Sequence, residues 1–134
     1  NSATGVVTLA ASTAGTYTIT NTIAASGGCA AATATSSITI NPVQSAAFNY
    51  SSSTFCSSGA NPTPTITGVA GGTFTSSPAG LVFVSSTTGQ INLSASSLNT
   101  YTITYTTPGP CVNSSTQSVT ITTAPVATFS YAGP

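Results

Sequence analysis

The sequence predicts an all-β chain assembled from tandem β-sandwich modules. Three observations carry that prediction: apolar and hydroxyl residues alternate with period two, long segments recur after 81 to 84 residues, and no stretch has helical periodicity. Thr, at 28 of 134 residues, shares with Val the β-branching that suits a pleated strand. The 22 Ser, 12 Gly and 8 Pro break the runs into turns. Chains rich in Ser, Gly and Pro are often too polar to bury a core, but ten Phe and Tyr with regularly spaced Val, Ile and Leu supply one here.

The recurrence fixes the organisation. Residues 4–20, TGVVTLAASTAGTYTIT, align with residues 88–104, TGQINLSASSLNTYTIT, at an offset of 84. Residues 37–50, SITINPVQSAAFNY, align with residues 118–131, SVTITTAPVATFSY, at an offset of 81. Between these blocks AASGGC, ending at Cys29, gives way to the shorter PGPC, ending at Cys111. Such a period exceeds a solenoid coil and suits a sandwich module. By phase, residues 1–43 are the C-terminal half of one repeat, 44–126 are a complete repeat, and 127–134 are the first strand of the next. Residues 1–43 are therefore expected not to close a sandwich alone, but to pack on strands outside this sequence.

Eight strands of the complete repeat follow from alternation and from the bounding Gly, Pro and Ser. The first, 46–50, places Phe48 and Tyr50 two apart, and the second, 53–57, centres on Phe55. Strands 64–69 and 72–76 set Ile66 and Phe74 between threonines. Strands 81–85 and 90–95 carry the pairs Leu81, Phe83 and Ile91, Leu93. In strand 100–107, TYTITYTT, one face takes Tyr101, Ile103 and Tyr105 and the other Thr100, Thr102, Thr104 and Thr106. Strand 115–122 alternates Val119 and Ile121 with Ser118, Thr120 and Thr122. Tyr101, and Tyr17 in the partial copy, stand where an immunoglobulin-like sandwich has its tyrosine corner, although an ordinary half-buried strand Tyr fits the same pattern.

Not one Asp, Glu, Lys, Arg or His occurs in the chain, whereas an average domain is about a quarter charged. Serines then have no base to activate them and thiols no cationic neighbour, so no enzyme is expected. Metal sites lack carboxylate and imidazole ligands, so no cofactor is expected. Nucleic-acid binding lacks its cationic footprint. No apolar run reaches the length of a membrane helix, and no basic-then-apolar leader opens the chain. Membrane insertion is not expected, and the N-terminus reads as mature or as an excerpt. Zero charge also removes repulsion between copies, which favours self-association.

The three cysteines make sense through the repeat. Cys56 and Cys111 share the complete copy, and Cys29 is the equivalent of Cys111, its own partner falling before residue 1. A Cys56–Cys111 disulfide would contribute roughly 4 kcal/mol through chain entropy and imply export. Three free thiols, or a Cys29–Cys56 bridge between modules, are the alternatives.

The succession FNYSSSTFCSSGANPTPTITGVAGGTFTSSPAGLVFVSSTTGQINLSASSLNTYTITYTTPGPC, then SVTITTAP and ATFSY, resembles the tandem repeats of giant Bacteroidetes cell-surface adhesins. These include the gliding-motility adhesins exported by type IX secretion. The matching elements are the aromatic pair before Cys56, PTPTITG, GGTF, TTGQINLSAS, and TYTITYTT before Cys111. The resemblance implies extracellular immunoglobulin-like sandwiches strung into a stalk or filament, and it covers essentially the whole chain in its shifted phase.

The expected function is that of a structural repeat in such a filament, with neighbouring repeats or chains as its partners. The alternative is a surface- or carbohydrate-binding module in which Thr16, Thr18, Thr20, Thr102, Thr104 and Thr106 form flat hydroxyl–methyl arrays like those of ice-binding proteins. On charge-free strands, however, Thr is also the default solvent-facing residue. Asn49, Asn92 and Asn113 sit in N-x-Ser contexts that would accept glycan. Because no side chain titrates between them, the thermal midpoint is expected to differ by less than about 2 °C between pH 4 and pH 8, measured by calorimetry at constant salt.

Overall fold

The computed structural model describes residues 1–133. It is all-β: ten strands are joined by loops, with a single 3-10 turn at Leu9–Ala11. The strands fall into two compact units, Asn1–Val43 and Gln44–Pro134.

The larger unit is built on a four-stranded sheet in the order β4-β10-β9-β6, comprising β4 (Thr54–Cys56), β10 (Ser114–Thr122), β9 (Thr100–Thr106) and β6 (Thr73–Ser77). The β10–β9 and β9–β6 pairs are antiparallel, whereas β4 runs parallel to β10. Two short antiparallel pairs complete the unit: β3 (Phe48–Asn49) with β5 (Thr65–Ile66), and β7 (Phe83–Ser85) with β8 (Gln90–Ile91). Alternation decides which side each residue faces. Tyr101, Ile103 and Tyr105 of β9 are wholly buried, as is Val119 of β10, with Ile121 and Phe74 close behind. Phe48, Ile66, Phe83, Ile91 and Leu93, from the short pairs and the turn after β8, pack into the same core.

All eight strands predicted for this unit are present, several of them shorter than alternation suggests. The reason is that side chains take over ladder positions. Tyr50 N–H donates to Gln117 Oε1 at 3.0 Å, Leu93 N–H to Asn61 Oδ1 at 2.9 Å, Val82 N–H to Ser96 Oγ at 2.9 Å, and Gly72 N–H to Tyr105 Oη at 2.9 Å. A side-chain acceptor satisfies the amide as well as a neighbouring strand would, and the ladder stops there.

Aromatic rings fill the middle of the core. Phe74 lies 4.6 Å from Tyr105 and 5.3 Å edge-on from Phe48, centroid to centroid. Such pairs contribute about 1 kcal/mol each beyond their burial. Tyrosine hydroxyls sunk in this core donate to backbone carbonyls: Tyr50 to Gly89, and Tyr105 to Val69 at 2.7 Å. Among the described residues no buried side-chain nitrogen or oxygen lacks a partner. Gly89 itself sits at φ +69°, and a Cβ there would come within 2.8 Å of the Phe74 ring. The position needs glycine for both its backbone and its packing.

The smaller unit is one antiparallel hairpin, β1 (Gly15–Ile23) with β2 (Ala32–Ile40), preceded by the 3-10 turn. No residue of 1–43 is buried. Its register repeats that of β9 and β10: Tyr17 faces Ile38 as Tyr101 faces Val119. Tyr17 and Ile19 are 38% and 40% exposed, where Tyr101 and Ile103 are sealed. The apolar face of the hairpin, Tyr17, Ile19, Ile38 and Ile40, is thus only partly covered, by Val7, Ala11 and Thr13 of its own unit. Residues 127–133 belong to no strand and leave Phe129 and Tyr131, the equivalents of Phe48 and Tyr50, exposed. The last residue of the strand expected at 127–134 lies outside the described residues.

Burial pushes the Tyr50 hydroxyl well above the ordinary tyrosine range. The folded chain therefore holds this proton more tightly than the unfolded chain does. The corresponding stability is complete below about pH 10 and lost as pH rises beyond it. Tyr50→Phe is expected to cost about 1 kcal/mol at neutral pH, through the lost bond to Gly89, and to lose less further stability at pH 11 than the unmodified chain, as read by urea unfolding at both pH values.

Candidate functional site

Two features of the larger unit are exposed and chemically distinctive: the outer face of the four-stranded sheet, and its two ends. On the outer face, strand register converts alternation into a grid. Thr73, Thr106 and Ser114 form one row across β6, β9 and β10; Thr75, Thr104 and Thr116 form the next. Ser77, Thr102 and Ser118 form a third, and Thr100 and Thr120 continue to Thr54 of β4 in a fourth. Every position bears a hydroxyl. Rows repeat about 6.8 Å apart along the strands, with neighbours about 4.8 Å apart across them. Thr100 and Thr120 share a hydroxyl–hydroxyl bond of 2.9 Å.

The hairpin unit carries the same pattern on its own: Thr16 faces Thr39, Thr18 faces Ser37 and Thr20 faces Thr35. Thr16 and Thr39 Oγ1 are 3.1 Å apart, reproducing the Thr100–Thr120 bond. The structure thus places the predicted Thr102, Thr104 and Thr106 in the grid of the larger unit, and Thr16, Thr18 and Thr20 in the narrower one of the hairpin. The contributions of β6 and β10 were missed. Their alternation was visible, but register between strands is not a property of either strand alone.

Both singled-out tyrosines close a local loop. Tyr101 Oη donates to the Ser97 carbonyl at 2.8 Å, and Tyr17 Oη to the Thr13 carbonyl at 2.9 Å, each four residues upstream. A second bond, not foreseen, accompanies each. Ser96 Oγ donates to Asn92 C=O at 2.7 Å, and its equivalent Ser12 Oγ to Thr8 C=O at 2.9 Å. The matching Ser at the same distance from each Tyr was the available signal.

The cysteines correct an expectation. Cys56 and Cys111 are not bonded to each other, and Cys29, exposed in the β1–β2 turn, is also a free thiol. The cause lies in β10. Cys56 ends β4 in register with Thr122, the last residue of β10, while Cys111 sits three residues before Ser114, the first. Eight residue steps of extended chain separate those two ends, about 26 Å, whereas a disulfide requires Cα atoms within about 7 Å. The two thiols stand near opposite ends of β10 in the larger unit.

The three asparagines are held by the fold. Asn113 Nδ2 donates to Gln44 C=O at 2.8 Å, and Asn49 Oδ1 accepts from Gln117 Nε2 at 3.2 Å. Asn92 Oδ1 accepts from Ser94 Oγ and from Ala95 N–H, forming a turn. Among the described residues no cluster of potential ligands is arranged to hold a metal. Among the described residues no helix is long and apolar enough to cross a membrane.

No protein-family model matches the chain, and neither a curated protein nor a solved structure resembles it at a significant level.

Tyr101→Phe is expected to destabilise the larger unit by about 1 kcal/mol, because it removes a part-buried hydrogen bond from a wholly buried ring. Tyr17→Phe is expected to cost clearly less in this chain, because water reaches Thr13. Denaturant titration of the two variants checks the difference.

Proposed function

We propose that this chain is a stretch of a long extracellular filament or adhesin stalk, built from tandem immunoglobulin-like β-sandwich modules. The observation that carries the proposal is the second appearance of one structural unit. The β1–β2 hairpin repeats the register of β9–β10 together with its Thr–Thr, Ser–carbonyl and Tyr–carbonyl bonds. A hairpin whose inward face is left half-covered makes physical sense as part of a module whose other strands lie elsewhere in an array.

The immunoglobulin-like assignment is supported by strand order. A sheet β4-β10-β9-β6 with a parallel edge at β4 has the order of strands A′, G, F and C. The hydrogen-bonded Tyr101 heads the strand that corresponds to F, where the tyrosine corner of such domains lies. A filament role is supported by chemistry. Edge strands β4 and β6 carry no charge to deter pairing with another copy, and nothing repels one uncharged surface from the next. Export to the cell surface belongs to the same proposal.

The hydroxyl grid favours a second function, adsorption to a regular surface such as ice or a crystalline polysaccharide. Thermal hysteresis, or retention on insoluble polysaccharide that is lost when Thr75, Thr104 and Thr116 are changed to Lys, would establish it.

The filament proposal is tested by electron microscopy and light scattering of concentrated chain at neutral pH. Extended or laterally packed assemblies are expected. Dispersed monomers at millimolar concentration overturn it.

A further inference from the structure

We propose that successive modules are stapled to one another by a disulfide between Cys56 of one module and the counterpart of Cys111 in the module that follows. The inference rests on the tandem-array reading and adds the covalent joint to it. It is carried by the direction in which the chain passes through the larger unit.

At the upstream pole the chain arrives beside the start of β10. Gln44 C=O accepts from Asn113 Nδ2 at 2.8 Å, and Ala46 C=O accepts from Ser115 Oγ. The chain then runs along β10 in the same direction: Tyr50 N–H meets Gln117, Ser53 C=O accepts from Thr120 N–H at 2.8 Å, and Cys56 draws level with Thr122. At the downstream pole it leaves from Thr122 itself. Cys111 therefore marks the pole of arrival, two residues from Asn113, and Cys56 marks the pole of departure.

The repeat makes the connection between poles short. At the offset of 81, Gln44 corresponds to Pro125, three residues beyond Thr122. Three extended residues span about 10 Å at most. In the proposed array that link limits how far the departure pole of one module can lie from the arrival pole of the next, with one cysteine beside each attachment point. Cys56 is exposed and Cys111 half-buried, so both sulfurs are open to exchange. Oxidation is balanced by a small-molecule disulfide such as glutathione disulfide. The two protein thiols form one S–S bond and give up two protons and two electrons, and two glutathione thiols leave.

In such an array each cysteine pairs outside its own module. The partners of Cys29 and Cys111 would each be the Cys56 counterpart of the preceding module, and the partner of Cys56 would lie in the following one. None of those positions is in the sequence.

The test prolongs the full chain by a second copy of its residues 54–134, which continues the repeat in phase because residue 134 falls at the place of residue 53. The three native cysteines are then joined by two more. Micromolar chain is treated with glutathione disulfide, unreacted mixed disulfides are removed with limiting thiol, and free thiols are counted under denaturing conditions. The expected result is a fall from five thiols to three in a monomeric chain, with Cys56 of the first copy joined to the appended Cys111 counterpart. Cys56→Ser in the first copy is expected to keep all four remaining thiols free. One thiol left, as bridges within modules or from Cys29 to Cys56 would give, overturns the proposal, and so do five. Near-ultraviolet tyrosine dichroism of the same samples establishes that the counted chain is folded. Microscopy of the reduced chain separates the two ideas: assemblies with five free thiols retain the filament and remove the staple, and a monomer with three does the opposite.

Discussion

Every polar group in this fold has to be satisfied without a charge. Ion pairs, charged caps and carboxylate acceptors are unavailable to the sequence, so burial depends on neutral donors meeting backbone carbonyls and side-chain amides. Tyr50, Tyr105 and Tyr101 share that work with Asn61, Ser96, Thr107 and Gln117. Each of these tyrosines places a ring in the core and directs its hydroxyl to a carbonyl: Gly89, Val69 or Ser97. A neutral hydrogen bond contributes only about 1 kcal/mol, but an unmet buried group costs more than that. The completeness of pairing therefore matters more than the strength of any single bond. The short strands follow from the same constraint, because Gln117, Asn61 and Ser96 serve as acceptors where a longer ladder would have continued.

Strand β10 organises what those bonds hold together. Its inward residues Val119 and Ile121 sit in the core, its outward ones join the hydroxyl grid, and its free edge receives Ser53–Cys56 through the backbone and Gln44, Ala46 and Tyr50 through side chains. One strand thereby sets the interior, the outer face and the direction of the module. The opposed positions of Cys56 and Cys111 are a by-product of that direction rather than of any local feature around either thiol.

Sequence alone made much of this legible, and the limits have a physical pattern. Inward and outward faces of 100–107 and 115–122 were readable because side chains on a strand alternate irrespective of what lies beside it. The existence of all eight strands followed for the same reason. Partner choice did not: that 54–56 lies parallel to 120–122 depends on residues 66 apart in the chain, and no period encodes it. The expected Cys56–Cys111 bridge failed on that one missing fact, since two cysteines in one repeat look like partners until the sheet places them at opposite poles. The grid of hydroxyls was half seen, with Thr102, Thr104 and Thr106 foreseen and Thr73, Thr75 and Thr116 added only by register. Asn61 and Gln117 carried no signal, because a lone amide in a polar loop or strand resembles any solvated residue.

The parallel run beside β10 has a mechanical meaning. Tension on the ends of the larger unit pulls the incoming segment back from one end of β10 and β10 forward from the other. The hydrogen bonds between them are then loaded in shear, together, whereas a hairpin pulled at its open end unzips one bond at a time. A chain threaded this way resists stretching through its weakest class of interaction by making many of them fail at once.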